Sequence, residues 1–339
     1  MRFAVMLPQA NRLASPEALV EVAQAAEELG FSAVSVRDHV VFNGAYITSG
    51  TADLEGPGEL RAMFEALETL TWVAAHTSRV RLRTSVLILP NRHPLLLAKQ
   101  LSTLDVLSGG RLTIGFGVGP NRRETAVDTT KLGAHRVNLE KEYDAFGAHG
   151  ARGPRMQEYF EAMVAIWTQD SASYRGETVA FDDVEVFPKP LQHPYPPVVV
   201  GGRSSAALRR AARWDAGWMP SQVTAPEIAA GVAELRALRE QAGLVPAPPS
   251  IGINVHSAIA QSTAAAEAFV APTIGHHFAG PEALRERALL GDVEAFAARV
   301  RAYRDAGVEE IELKPVYRSI DDCVAHLRTI HDEVMPAVA

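Results

Sequence analysis

The feature that most constrains the fold is an alternation. Eight short apolar runs, at residues 3–8, 33–36, 80–89, 111–118, 198–200, 216–219, 250–260 and 309–314, are each followed by a longer stretch with helical periodicity. Ser15-Pro16 places an N-cap before a proline at the first helical position, Leu19, Val22, Ala26 and Leu29 form the apolar stripe, and Gly30 closes the helix. Asp292 and Ser319 are predicted N-caps, and Gly307 a closing glycine. Strands joined through a helix run parallel, and eight such units can close into a barrel. An open doubly wound sheet shows the same alternation. The count of eight and the regularity along the whole chain select the α/β class and, within it, a (β/α)8 TIM barrel.

The chain has 339 residues, against about 250 for a typical barrel. A single domain spanning 1–339 absorbs the surplus as insertions on the C-terminal rim near 120–150, 173–187 and 262–290. Residues 173–187 read as a hairpin, because Tyr174, Thr178–Phe181 and Val184–Phe187 flank turn residues. The other two insertions read as irregular. Lys and Arg total 33 and Asp and Glu 40, a formal charge of −7 that argues against nucleic acid or an anionic membrane as partner. One cysteine, Cys323, leaves no internal disulfide. No apolar run approaches the roughly 18 residues of a membrane span, and the N-terminal apolar stretch is too short for a signal peptide. The expectation is a cytoplasmic protein.

In a parallel barrel the active site lies at the C-terminal ends of the strands. Those ends carry Gln9, Asp38-His39, Ser85–Leu89, Gly117-Val118-Gly119, Gly201 to Ser205, Ser221-Gln222, His256-Ser257 and Lys314. His39 is a candidate proton donor or acceptor, with Asp38 beside it to orient a ring or the histidine; the bland alternative is a loop pair satisfying backbone groups. Gly115-Phe116-Gly117-Val118-Gly119 falls short of a dinucleotide fingerprint, since Pro120 breaks the spacing. Close packing inside a barrel, or room for a flat ring against the strand end, remain open for these glycines. Gly201, Gly202, Arg203, Ser204 and Ser205 stand between a strand and a helix, where free N–H groups, hydroxyls and a guanidinium suit a phosphate. A tight turn capped by Ser204 is the alternative. His276-His277 lack further ligands at metal spacing, so no metal is expected.

The stretch Thr84–Pro94, then Ala98-Lys99-Gln100, Thr103-Leu104-Asp105, Leu107–Arg111 and Gly115–Gly119, resembles the bacterial-luciferase-like superfamily of flavin- and deazaflavin-dependent oxidoreductases. Asp38-His39, Glu158-Tyr159 before Trp167-Thr168, Pro188-Lys189-Pro190, Pro197 to Gly202 and Ala216-Gly217-Trp218 extend the likeness over about residues 3–220. The resemblance implies a (β/α)8 barrel with its cofactor at the C-terminal rim, and the pattern is closer to the branch that uses coenzyme F420 than to the FMN branch. It further implies a cis peptide at Ser85–Val86 backing the ring, Gly117 and Gly119 beside the cofactor, Asp38 and His39 near its reactive edge, and Gly201 to Ser204 on its phosphate. It also implies a homodimer. One departure stands out: sugar-phosphate-oxidising dehydrogenases of that branch carry Glu where this chain has Pro120. Glu124 or Tyr143 can approach from the longer 120–150 stretch, and sugar-phosphate oxidation is put in doubt.

The leading expectation is an F420-dependent oxidoreductase transferring a hydride between the deazaflavin and a small organic substrate. The alternatives are an FMN-dependent monooxygenase using reduced flavin and oxygen, and a barrel that binds a cofactor without catalysis.

Overall fold

A computed structural model describes residues 1–10, 12–41, 63–119, 140–148, 150–245, 248 and 250–339. Its strands are β1 (Arg2–Met6), β2 (Ala33–Val36), β3 (Arg81–Thr84), β4 (Leu87–Ile88), β5 (Leu112–Gly117), β6 (Ser171–Arg175), β7 (Ala180–Glu185), β8 (Val198–Gly201), β9 (Gly217–Met219), β10 (Gly252–Ile259), β11 (Leu289–Gly291) and β12 (Glu310–Pro315). The principal sheet is parallel, in the order β11-β10-β12-β1-β2-β3-β5-β8-β9, with β4 also on β5. Isolated parallel bridges, Trp218↔Ile251 and Ser221↔Asn254, join β9 to β10. The pair β6/β7 forms the expected hairpin, antiparallel and apart from that sheet.

The path β1, β2, β3, β5, β8, β9, β10 and β12 uses all eight apolar runs. The helix starts follow the sequence signals: Ser15, Asp292 and Ser319 each accept a backbone N–H as N-cap, and Gly30 and Gly307 have φ of 72° and 100°. The peptide Ser85–Val86 is cis, as the resemblance implies, and the run 80–89 is divided there into β3 and β4. One expectation is corrected. The stretch 262–290 is not irregular. Ser262 caps a helix over Thr263–Ile274, a second helix covers Pro281–Arg287, and β11 adds to the sheet beyond β10. Alanine-rich composition favours the first helix, while Pro272 inside it and Gly280 before the second obscured both in the sequence.

The apolar core lies between strands and helices. Phe3, Val5, Val34, Leu82, Ile311 and Leu313 on the strands meet Leu19, Val22, Leu70, Leu101 and Phe296 from the helices, all buried. The opposite strand face is polar, and its contacts measure how far the sheet curls. Asn254 on β10 donates to Ser85 Oγ at 3.2 Å, and Ser85 Oγ donates to Glu312 Oε1 at 2.6 Å. β10 and β3 are four places apart, about 19 Å in a flat sheet at roughly 4.8 Å per strand. Only a tightly curled sheet brings these side chains together. Below them Arg83 pairs with Glu310 and stands 3.7 Å from Glu312 Oε2. Burial alone would push the Glu310 carboxyl up; Arg83 more than offsets this and holds it below the usual carboxylate range.

Removing one partner of a buried ion pair strands the others. Arg83→Met should therefore cost about 3–5 kcal/mol of stability, read as a lower urea midpoint; a variant as stable as the parent would show that the interior carboxylates do not depend on this guanidinium.

Candidate active site

The mouth at the C-terminal ends of the strands is organised by two clamps. Gln9, after β1, donates from its side-chain amide to the carbonyls of Arg37 (3.0 Å) and Phe64 (2.7 Å), and its Oε1 accepts from Arg37 N–H at 2.9 Å. Asp38 forms the second. Its carboxylate accepts from Arg92 at 2.6 and 3.2 Å and from the Ile88 N–H at 2.9 Å. Arg92 also reaches Glu65 at 2.6 Å, and Glu65 caps the helix Ala66–His76. Asp38 thus ties the end of β2 to the chain after the cis bond and to that helix.

The role of holding His39, expected of Asp38, falls to Glu142. His39 Nδ1 lies 3.0 Å from Glu142 Oε2, and Glu142 Oε1 accepts the Val40 and Val41 N–H groups at 2.6 and 3.3 Å. Burial pushes the Glu142 carboxyl up, and the bonds from His39, Val40 and Val41 outweigh it, leaving the group below its ordinary value. A carboxylate that fixes one ring nitrogen sets the orientation of the imidazole. Glu142 is 103 residues from His39 in sequence, and no local pattern announces it. Pro120 and Glu124 lie outside the described residues. Tyr143 is buried, with the Arg152 guanidinium 4.0 Å from its ring centroid.

The glycines of the rim have specific neighbours. A Cβ on Gly117 would stand 2.6 Å from Val86 Cγ2, and one on Gly201 3.1 Å from Val86 Cγ1. The space beside the cis bond is therefore filled by Val86, as close packing requires. Gly119 has φ of 75° and makes room for the Tyr143 hydroxyl. Gly202, at φ 111°, leads into the helix Ser205–Arg213, whose Ser204 cap accepts from Ala207 N–H. The Trp218 indole donates to the Gly202 carbonyl at 2.9 Å and fixes this turn. Gly202, Arg203, Ser204 and Ser205 are all exposed. An exposed helix N-terminus with two hydroxyls and a guanidinium fits an anionic phosphate.

The described residues contain no cluster of three or more potential metal ligands. None of their helices is long and apolar enough to cross a membrane. His277 instead stacks on His256, with ring centroids 5.8 Å apart. Sequence reading also passed over Glu312 and Asn254, although Glu310, Glu312 and Lys314 alternate with Ile311 and Leu313, the mark of an inward charged face.

Because the Glu142 carboxyl is held low, its stabilising contribution is complete above the unfolded value near 4.5 and is lost as pH falls through the lower folded value. Glu142→Gln should therefore lower the urea midpoint at pH 7, with the gap to the parent closing below about pH 4.5. A gap that stays constant down to pH 3 would contradict the pairing.

Comparison with known proteins places the chain. Over 230 residues it is 34% identical to the Mycobacterium tuberculosis protein Rv0953c, covering 67% of this chain and 73% of that one. It is 31% identical over 209 residues to the FMNH2-dependent dimethylsulfone monooxygenase of Pseudomonas putida (60% of this chain, 51% of that one). Against the F420-dependent glucose-6-phosphate dehydrogenase of Kineococcus radiotolerans it is 32% identical over 189 residues (56% and 48%). Among solved structures, an F420-dependent secondary alcohol dehydrogenase superposes with a TM-score of 0.75 at 15% identity, over 100% of this chain and 99% of that one, a likeness of fold. The family model for luciferase-like monooxygenases matches residues 1–310, and the chain belongs to that family, an enzyme of the luciferase-like oxidoreductase class.

Proposed function

We propose that the chain is an F420-dependent oxidoreductase that exchanges a hydride between the deazaflavin and a small organic substrate, on one (β/α)8 barrel. The curled sheet and the bridges between β9 and β10 support the barrel. The observation that carries the function is the His39–Glu142 pair at the end of β2. Hydride exchange at a carbon bearing oxygen needs a proton placed on, or taken from, that oxygen, and a histidine oriented by a buried carboxylate is built for this.

The residues fit the cofactor. Arg203, Ser204 and Ser205 would hold its phosphate at the helix N-terminus. Ser85 and Val86 would back its ring, with Gly117 and Gly119 on the neighbouring strand end. Bound there, the deazaflavin supplies the hydride acceptor or donor. His39 manages the substrate proton, Glu142 positions His39, and the Asp38–Arg92–Glu65 clamp fixes the strand end that carries both.

A second reading, an FMN-dependent monooxygenase, is favoured by the 31% identity to the dimethylsulfone enzyme. Titrating the chain with F420 and FMN in both oxidation states, while following oxygen uptake, separates the two. Turnover with F420 and no oxygen uptake supports the first; product formation coupled to oxygen uptake with reduced FMN overturns it. His39→Ala should lower turnover by about 10²–10⁴-fold with F420 affinity retained. Full turnover in that variant would remove His39 from the chemistry.

A further inference from the structure

Beyond the turn at Gly201 to Ser205, a strip of positive charge continues along the outside of the helix that follows. In that helix, Ser205–Arg213, Leu208, Ala211 and Ala212 are buried, Arg209 and Arg213 are exposed, and Arg210 is half-buried. Arg213 is paired with Glu161 at 2.7 Å. Arg203, Arg209 and Arg210 have no carboxylate partner among the described residues. Burial pushes the Arg210 guanidinium below the usual arginine value, and the Arg209 charge beside it adds to this. Shape holds Arg210 in place. Its Nη2 fills the space where Gly153, in the first turn of the helix Arg152–Thr168, has no Cβ. That turn carries no acidic residue, nor does the first turn of Ser205–Arg213. The Arg210 guanidinium therefore lies against the positive end of a second helix.

Helix geometry joins this strip to the phosphate turn. Side chains on a helix lean back toward its N-terminus, so Arg209 and Arg210 lean toward Ser205. The five steps from Ser205 to Arg210 rise about 7.5 Å, a gap that an extended arginine side chain spans. An anion at the turn thus has further cations next to it, on the exposed side of the helix. The chain as a whole carries −7, so this local field runs against the overall charge. Neighbouring guanidinium groups repel, and a ligand with several negative charges relieves that repulsion. A single phosphate is served by the turn alone. FMN ends at its phosphate, whereas F420 continues beyond its phosphate into a tail of linked glutamates. Arg209 and Arg210 find a partner in the second cofactor and none in the first.

We propose that Arg209 and Arg210, continuing from Arg203, form a binding strip for the carboxylates of the F420 tail. The proposal rests on the F420 reading and deepens it, since the strip gives the chain a means of telling that cofactor from FMN.

Binding is measured by calorimetry on the full chain with two ligands: F420 carrying its glutamate tail, and the same deazaflavin trimmed back to its phosphate. In the parent at low salt the tailed form should bind at least about fivefold more tightly. Raising the salt to about 0.5 M should shrink that ratio to within about twofold, because exposed charge pairs are screened. The double variant Arg209→Ala/Arg210→Ala should lose the preference while binding the trimmed form like the parent. Arg209→Lys/Arg210→Lys should keep most of it. Equal affinity for the two forms in the parent overturns the strip and leaves the F420 reading in place, as does an alanine double variant that keeps the preference. Binding of FMN with no affinity for either deazaflavin overturns both. If the alanine double variant does not fold, the salt titration of the parent decides: a preference that salt leaves unchanged overturns the proposal.

Discussion

The structure depends on one set of contacts across the inner face of the sheet: Ser85 to Glu312, and Asn254 to both. Ser85, at the end of β3, lies three places from β12 and four from β10, so its two contacts exist only when the sheet is curled. They also fix the residue that precedes Val86 in the cis peptide. Side chains on this inner face are charged, so each charge has to be matched locally. Arg83 matches Glu310 and Glu312 at depth. A buried polar ladder of this kind transmits position precisely, because no member can move without leaving a neighbour unsatisfied.

The rim is built on top of that ladder. Val86 fills the space left by Gly117 and Gly201, so the cis bond, the end of β5 and the end of β8 are packed as one unit. Asp38 holds the next turn through Ile88 N–H and Arg92. Trp218, on β9, holds the turn at Gly202 that leads to the helix N-terminus. Each of these turns is thus secured by a residue from a different part of the chain.

Much of this was legible in the sequence, for a physical reason. Strand and helix follow local periodicity and capping, and Ser15, Asp292 and Ser319 cap where their side-chain chemistry says they should. The stretch 262–290 was misread because Pro272 and Gly280 interrupt it, whereas the helices are held by burial of Ala266, Val270, Ile274 and Leu284 in a small cluster of their own. The candidate site was legible as a rim and as residue types, less so as pairings. His39 and Asp38 were recognisable at the end of β2, but their partners, Glu142 and Arg92, come from 103 and 54 positions away. The Ser85–Glu312 contact spans 227 positions. Local composition carries no information at such separations; only the curl of the whole sheet does.

Arg37-Asp38-His39 shows why one strand end can serve three purposes. Successive side chains of an extended segment point in different directions, so neighbours in sequence need not be partners in space. Arg37 turns inward, onto Met6 and toward Glu312. Asp38 turns along the sheet to Arg92, and His39 turns to Glu142 at the rim. The interior charge ladder, the clamp and the His39–Glu142 pair therefore meet in three consecutive residues, and Gln9 pins that segment through both backbone groups of Arg37. A displacement of β2 along its axis would disturb all three together. The end of β2 is thus the point through which the placement of Arg37 on the inner face and that of His39 at the rim are mechanically linked.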